Sequence, residues 1–132
     1  GSDRAVLAIG GRRWAVADGY IPEWSQGPAP ELASHEATCI LNAGGDSANV
    51  RLTVFFEERE PIEYALAVAA GRTLHLRLGD LREPEPIPRG VGYAYVVEAD
   101  VPIVVQHTRL DSRQAANALA STIAYPVREE DV

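Results

Sequence analysis

The chain has 132 residues, of which 46% are hydrophobic and 23% are charged, proportions that predict a single globular domain and exclude a disordered chain. No apolar run reaches the ~20 residues that cross a bilayer, and a single cysteine excludes an internal disulfide and is typical of a reducing cytoplasm. Twelve basic residues, all arginine, oppose 19 acidic ones and give a net charge of −7, so general nucleic-acid binding, which depends on neutralising phosphates, is not expected.

The two ends of the chain are expected to lie outside the folded unit. The opening pair Gly1-Ser2 has the form of a remnant left by cleavage of an expression tag, and residues 1–11 are assigned to this remnant and a leader. Residues 12–127 are predicted to form one domain. Residues 128–132 are predicted to form an acidic, solvated tail.

Short segments in which apolar and polar residues alternate predict β-strands along most of the chain. Glycine and proline separate these segments, and the pairs Ala70-Gly71 and Glu60-Pro61 mark turns or breaks. Asp100 and Pro102 predict a tight corner between two strands. In chain order, the predicted strands cover residues 34–43, 49–57, 62–69, 72–78, 93–98, 101–110 and 119–125.

This succession of short strands favours an all-β fold, a jelly-roll-like antiparallel β-sandwich in a single domain. Residues 112–118 alone have a helical pattern. In the strand over residues 34–43, Cys39 is assigned to the apolar face, where its thiol is an inert core group. His35 shares that face and is interpreted as a core histidine in preference to a metal ligand.

The segment VPIVVQHTRLD, residues 101–111, carries the most informative polar pattern. Its apolar face, formed by alternate residues from Val101 to Val105, continues into His107 and Arg109, which are ~6.6 Å apart on an extended strand. A buried guanidinium needs a carboxylate partner or an anionic or polyol ligand. The alternative is a structural ion pair that closes one end of the sandwich. The candidate carboxylates are Asp111, Glu36 and Asp18.

Catalytic chemistry has little support in the sequence. His107 and Asp111 are about 13 Å apart on an extended strand, too far for a hydrogen-bonded dyad. A nucleophile elbow, a phosphate-binding loop and a Cys-x-x-Cys pair are all missing from the sequence, and three histidines without paired spacing do not predict a zinc site. We therefore expect no enzyme, metal or cofactor, with acid–base catalysis by His107 as the alternative.

Irregular, proline-rich segments at residues 18–34 and 79–92 are predicted to be functional or interfacial loops, or to seal the ends of the sandwich. Three aromatic residues cluster within or just before the first of these segments, residues 18–34. An indole beside charged groups is typical of sites for sugar-like ligands. The same aromatics fit a core or an oligomer interface equally well. The three are Trp14, Tyr20 and Trp24.

Four segments of the chain resemble the Anabaena sensory rhodopsin transducer family. They are WAVADGYIP (residues 14–22), GPAPELASHEATCILNAG (27–44), EPEPIP (83–88) and PIVVQHTRLDSRQAANALASTIAY (102–125). The resemblance runs from about residue 14 to residue 125. One departure is Asp18, where the family commonly has glutamate.

The resemblance implies a cytoplasmic β-sandwich that assembles as a homotetramer and acts as a signalling module. It implies a site for a small polar metabolite, sugar-like or anionic, around Arg109 and His107. Docking on the cytoplasmic face of a membrane photoreceptor, a microbial rhodopsin, is the alternative function. Adjacent strand residues point to opposite faces, so His35 and Glu36 converge on one ligand only where the strand is irregular. Carried over to this chain, the family's polar pocket comprises Trp14, His35, Glu36, Asn42, His107, Arg109 and Asp111.

Overall fold

The computed structural model describes residues 9–21, 35–111 and 118–127. These residues form antiparallel β-strands and one short 3-10 helix at Leu78–Asp80. The all-β, single-domain prediction is confirmed. The strands within the described ranges are β1 (Gly11–Tyr20), β2 (His35–Asn42), β3 (Ala48–Phe56), β4 (Ile62–Val68), β5 (Arg72–Arg77), β6 (Gly92–Asp111), β7 (Ala118–Ile123) and β8 (Tyr125–Pro126).

The strands are arranged in two groups that share β6. In the first group the order is β4-β3-β6-β1-β8. In the second group β6 pairs with β2 and β7, and β2 also pairs with β5. Every one of these pairings is antiparallel. The arrangement is sandwich-like, because β6 passes from one group to the other.

Strand β6 is continuous over 20 residues, so the predicted division into two strands was wrong. Its pairing with β3 ends at Ala99, and its pairing with β2 begins at Val104. Asp100 and Pro102 lie between these points, where the strand changes partners. The carboxylate of Asp100 accepts hydrogen bonds from the backbone N–H and the side-chain amide of Asn49, both at 2.9 Å. The residues that predicted a tight corner, Asp100 and Pro102, therefore mark the place where one strand changes its pairing partners.

The core lies between the two groups of strands and is built from alternate residues. In β3 the residues Val50, Leu52 and Val54 are buried while their neighbours are more exposed, as the alternation predicts. The same pattern holds in β4 and in both halves of β6. Leu78 and Ile87 contribute buried side chains from the segments between β5 and β6. Burial of these side chains supplies the main stabilisation of the fold.

The face of β2 that points into the core is the opposite of the predicted one. Glu36, Thr38, Ile40 and Asn42 are buried, whereas Cys39 is half-buried and lies opposite His75 of β5. The placement of Cys39 in the core was therefore wrong. Hydrophobicity misled the prediction, because Glu36 and Asn42 on the inner face obtain hydrogen bonds inside the protein, which lowers the cost of burying them.

Strand β1 was not predicted. Its inward residues Trp14 and Val16 are buried, but the pairing with β6 shifts register between Val16 and Gly19, so the alternation in the sequence is interrupted. The predicted helix over residues 112–118 falls mostly on residues 112–117, which lie outside the described ranges, and Ala118 begins β7. The described residues contain no helix with the length and hydropathy of a membrane-spanning segment.

Candidate functional site

A buried carboxylate, Glu36, is the centre of a polar cluster at one end of the domain. Glu36 is 1% exposed to solvent. One carboxylate oxygen, Oε1, accepts a hydrogen bond from the backbone N–H of Tyr20 at 2.8 Å and another from the hydroxyl of Tyr93 at 2.5 Å. The other oxygen, Oε2, accepts a hydrogen bond from Nε of Arg109. Both oxygens therefore have internal donors, as a buried charge requires.

His107 lies beside this carboxylate and is 4% exposed. Its Nδ1 is 2.8 Å from the hydroxyl of Tyr95, and the two rings are 5.6 Å apart between centroids. Its Nε2 is 3.5 Å from Oε1 of Glu36 and has no hydrogen-bond partner within the described part of the chain. The imidazole is thus enclosed between Tyr95 and Glu36.

The change of pairing partners along β6 brings these side chains together. Tyr93 and Tyr95 belong to the half of β6 that pairs with β3, while His107 and Arg109 belong to the half that pairs with β2. All four are separated by even numbers of residues, so they lie on the same face in the alternation of β6. Because β6 changes partners between Ala99 and Val104, its two halves contribute side chains to the same cluster. Glu36, directly opposite Arg109 on β2, completes it.

The surroundings of the cluster change the protonation equilibria of its members. Burial alone would raise the pKa of Glu36, but the adjacent His107 and hydrogen bonds from Tyr93, the Tyr20 backbone and Arg109 outweigh it, so the pKa is lowered. Burial, reinforced by the negative charge of Glu36, raises the pKa of Tyr93. Burial also raises the pKa of Tyr95. The cluster therefore combines an ionised carboxylate with two neutral phenols.

Arg109 connects the cluster to solvent. Its side chain is 35% exposed, whereas that of Glu36 is fully buried. Burial would lower the pKa of Arg109, but the hydrogen bond and charge of Glu36 outweigh burial and raise it. One terminal nitrogen lies 3.4 Å from the backbone oxygen of Asp18 and 3.8 Å from its carboxylate, and the Asp18 side chain is 89% exposed. The guanidinium is thus partly exposed, and beside its partner Glu36 the described residues place the exposed carboxylate of Asp18 next to it.

The structure brings together three of the residues that the sequence pointed to, Glu36, His107 and Arg109. It also places Asp18, one of the candidate carboxylate partners, against Arg109. The side chains of His35 and Asp111 lie outside the described part of the chain.

Trp14 and Asn42 do not join this cluster. Trp14 is a core residue, 5% exposed, whose indole N–H donates to the backbone oxygens of Gly11 and Ile103 at 3.0 Å each. Its ring is therefore packed in the core against β6 and is not available as an apolar surface for a ligand beside Arg109. Asn42 ends β2 at the opposite end from Glu36.

The amide of Asn42 has a structural role there. Its nitrogen donates to backbone oxygens at 2.8 to 3.3 Å, and its oxygen accepts from the Gly44 backbone N–H at 3.1 Å. These bonds hold the turn after β2 against the end of β4. A side chain with its donors and acceptor engaged in this way is unsuited to ligand recognition. The three accepting oxygens belong to Asp46, Val68 and Ala69.

Sequence reasoning did not single out Tyr93 and Tyr95. A usable signal existed, because both occupy inward positions of a strand and a buried phenol needs a partner for its hydroxyl. Their link to His107 and Arg109 was hidden by treating the two halves of β6 as separate strands. The described residues hold no group of three or more His, Cys, Asp or Glu side chains placed to bind a metal ion.

Together, fold and cluster define a small antiparallel β domain whose conspicuous polar feature is an internally bonded carboxylate with one solvent-facing guanidinium. The family profile described as Anabaena sensory rhodopsin transducer matches residues 9–126. The chain belongs to this family.

Solved structures agree with this assignment. The chain is similar to the Anabaena sensory rhodopsin transducer, with 53% identity, a TM-score of 0.73 and coverage of 83% of this chain and 96% of that chain. It is also similar to the crystal structure of Thermotoga maritima 1070, with 37% identity, a TM-score of 0.80 and coverage of 89% and 96%. No curated protein sequence matches the chain.

Proposed function

We propose that the protein is a cytoplasmic, non-catalytic signalling module that binds a small anionic or sugar-like metabolite at the outer edge of Arg109. The observation that carries the proposal is the two-sided environment of this guanidinium. Its Nε edge is held by buried Glu36, while the side chain remains 35% exposed and one terminal nitrogen lies beside exposed Asp18. A guanidinium fixed on one side presents its remaining donors in a defined geometry, which favours binding of a carboxylate or phosphate.

The position of His107 supports a binding role over a catalytic one. A general acid or base must come within ~3 Å of the proton that it transfers. His107 is buried, its Nδ1 is engaged by Tyr95, and its Nε2 faces Glu36. A substrate outside the domain would meet Arg109 before it could reach the imidazole. We therefore assign His107 to positioning Glu36.

Isothermal titration with matched pairs of sugars and sugar acids, glucose with glucuronate and galactose with galacturonate, tests the proposal. Arg109→Lys keeps the charge but loses the planar fork, and we expect it to weaken binding by about tenfold or more. Asp18→Asn removes a competing carboxylate, and we expect it to strengthen binding of the sugar acids and not of the neutral sugars. The melting temperature of each variant reports whether the fold is retained.

Arg72→Lys is the matched control, because Arg72 is exposed and lies on β5. Its affinity should equal that of the unmodified protein. The proposal fails when no compound of the panel binds. It also fails when Arg72→Lys loses as much affinity as Arg109→Lys, since binding would then depend on general charge.

A second candidate function is docking to a rhodopsin-type membrane photoreceptor, and it is favoured by the 53% identity to a protein named as a sensory rhodopsin transducer. Titration of the chain into detergent-solubilised Anabaena sensory rhodopsin tests it directly. Saturable binding that is absent from an unrelated seven-helix membrane protein supports this function. We further propose that the chain is a homotetramer, which light scattering coupled to size exclusion tests.

A further inference from the structure

Two concave surfaces meet at the end of the domain where β6 begins. One has a volume of about 500 Å³ and lies against Pro88 and Val91. The other has a volume of about 410 Å³ and lies against Phe55. Both are lined by Phe56, Glu57 and Gly92, and we call the two neighbouring surfaces together the Phe55 groove.

The floor of the Phe55 groove is apolar and exposed. Phe55 and Val91 are large hydrophobic residues that are 42% and 41% exposed. Phe56 is half-buried, and its ring is covered by the guanidinium of Arg59 at 5.2 Å from the ring centroid. Exposed apolar side chains grouped in a concave surface, with charged residues around them, are typical of a site for a protein partner.

The rim of the groove is acidic. It carries the carboxylates of Asp18, Glu57 and Glu58, all of them exposed. Neither Glu57 nor Glu58 forms an ion pair with another residue of the described ranges. The basic residue that lines the groove, Arg59, already donates to Glu85 at 2.7 Å. An incoming cation would therefore meet two carboxylates, those of Glu57 and Glu58, whose charge is not neutralised within the described ranges, beside Asp18, which already lies 3.8 Å from Arg109.

We propose that the Phe55 groove binds a segment of a partner protein in which arginine or lysine side chains flank an apolar side chain. The apolar residue would cover Phe55 and Val91, and the cations would reach Asp18, Glu57 and Glu58. Complementary charge of this kind increases the association rate and selects against wrong partners. A second copy of this chain that presents the same face is disfavoured as the occupant of this groove, because its identical acidic rim would repel this one. An anionic surface is disfavoured for the same reason.

A fluorescein-labelled decapeptide of alternating leucine and arginine is the probe, with anisotropy as the measurement. We expect saturable binding that weakens with added salt. The double variant Glu57→Gln/Glu58→Gln should weaken binding by about fivefold, since each exposed charge pair contributes little. Phe55→Ser should weaken it by a similar factor without changing its salt dependence. A peptide with glutamate in place of arginine should not bind.

The matched control is Asp46→Asn/Glu83→Gln, which removes two exposed carboxylates outside the groove. Equal weakening by this control and by Glu57→Gln/Glu58→Gln would overturn the proposal, because attraction to the whole chain would then explain binding. Binding unaffected by Phe55→Ser would overturn it as well. These measurements use no small molecule, so their failure leaves the proposed site at Arg109 untouched.

Discussion

Glu36 and Arg109 occupy directly opposite positions on β2 and β6, and Nε of Arg109 donates a hydrogen bond to the Glu36 carboxylate. The pair is asymmetric, because the Glu36 side chain is fully buried while that of Arg109 is 35% exposed. The carboxylate depends on internal donors for its solvation, whereas the guanidinium keeps water on its outer edge. Glu36 is therefore the member on which the stability of the cluster depends more strongly.

Replacing Glu36 with glutamine should destabilise the protein by roughly 2 to 3 kcal/mol, because the charge that pairs with Arg109 and accepts from Tyr93 is lost from a buried site. Urea unfolding at neutral pH measures the change. Glu63→Gln is the matched control, since the Glu63 side chain is 62% exposed, and it should cost less than about 0.5 kcal/mol. Equal effects of the two substitutions would contradict a special role of Glu36.

The stabilising effect of Glu36 should disappear in acid. Its pKa is lowered in the folded protein below the ordinary value of 4.5. The folded state therefore favours the ionised form, so the stabilisation is complete above the unfolded pKa and is lost as pH falls through the folded pKa. Unfolding free energies of the parent and of Glu36→Gln should converge as the pH is lowered from 7 to about 3. A constant difference over this range would show that the charge of Glu36 is not involved.

Tyr93 and Tyr95 should make the protein sensitive to alkali. Burial raises the pKa of both phenols, so stability is complete below the unfolded tyrosine pKa of about 10 and falls as pH rises above it. Absorbance near 295 nm should show that these two phenols ionise only as the protein unfolds. The variant Tyr93→Phe/Tyr95→Phe should lose less stability between pH 9 and about 11 than the parent does. Tyr125→Phe, at a 64% exposed position, should retain the parent's alkaline transition.

The ring of Tyr93 leaves no space for a side chain at Gly19. A Cβ atom at this position would lie 2.3 Å from Cε1 of Tyr93, a distance at which the buried ring or the backbone of β1 must shift. Gly19→Ala should therefore cost about 1 to 3 kcal/mol, as overpacking does. Gly11→Ala in the same strand is the control, because a Cβ there meets nothing within 4 Å. The interpretation is wrong when both substitutions have the same effect in thermal unfolding.

Much of the fold could be predicted because hydrophobic alternation reports burial on each strand. β3 and β4 illustrate this, since every second residue is apolar and faces the core. β2 could not be assigned in the same way, because Glu36, Thr38 and Asn42 are buried despite their polarity. For Glu36 and Asn42, hydrogen bonds to other parts of the chain permit this burial, and the alternation within a single strand does not reveal them.

The candidate site could be predicted in part for the same reason. Alternation alone placed His107 beside Arg109, and the cost of burying a guanidinium correctly indicated a carboxylate partner. Tyr93 and Tyr95 required knowledge that β6 continues past Asp100 and Pro102 with its two halves facing the same carboxylate. That is a property of tertiary structure, which residue spacing does not reveal.

The shared acceptor of the two halves of β6 has a mechanical consequence. Glu36 accepts hydrogen bonds from Tyr93 near the beginning of β6 and from Arg109 near its end. One carboxylate therefore links the two halves of a single strand. Tyr93 also lines the Phe55 groove. Because Arg109 and Tyr93 share Glu36 as their acceptor, a displacement of the Arg109 side chain would also alter the hydrogen bond of Tyr93.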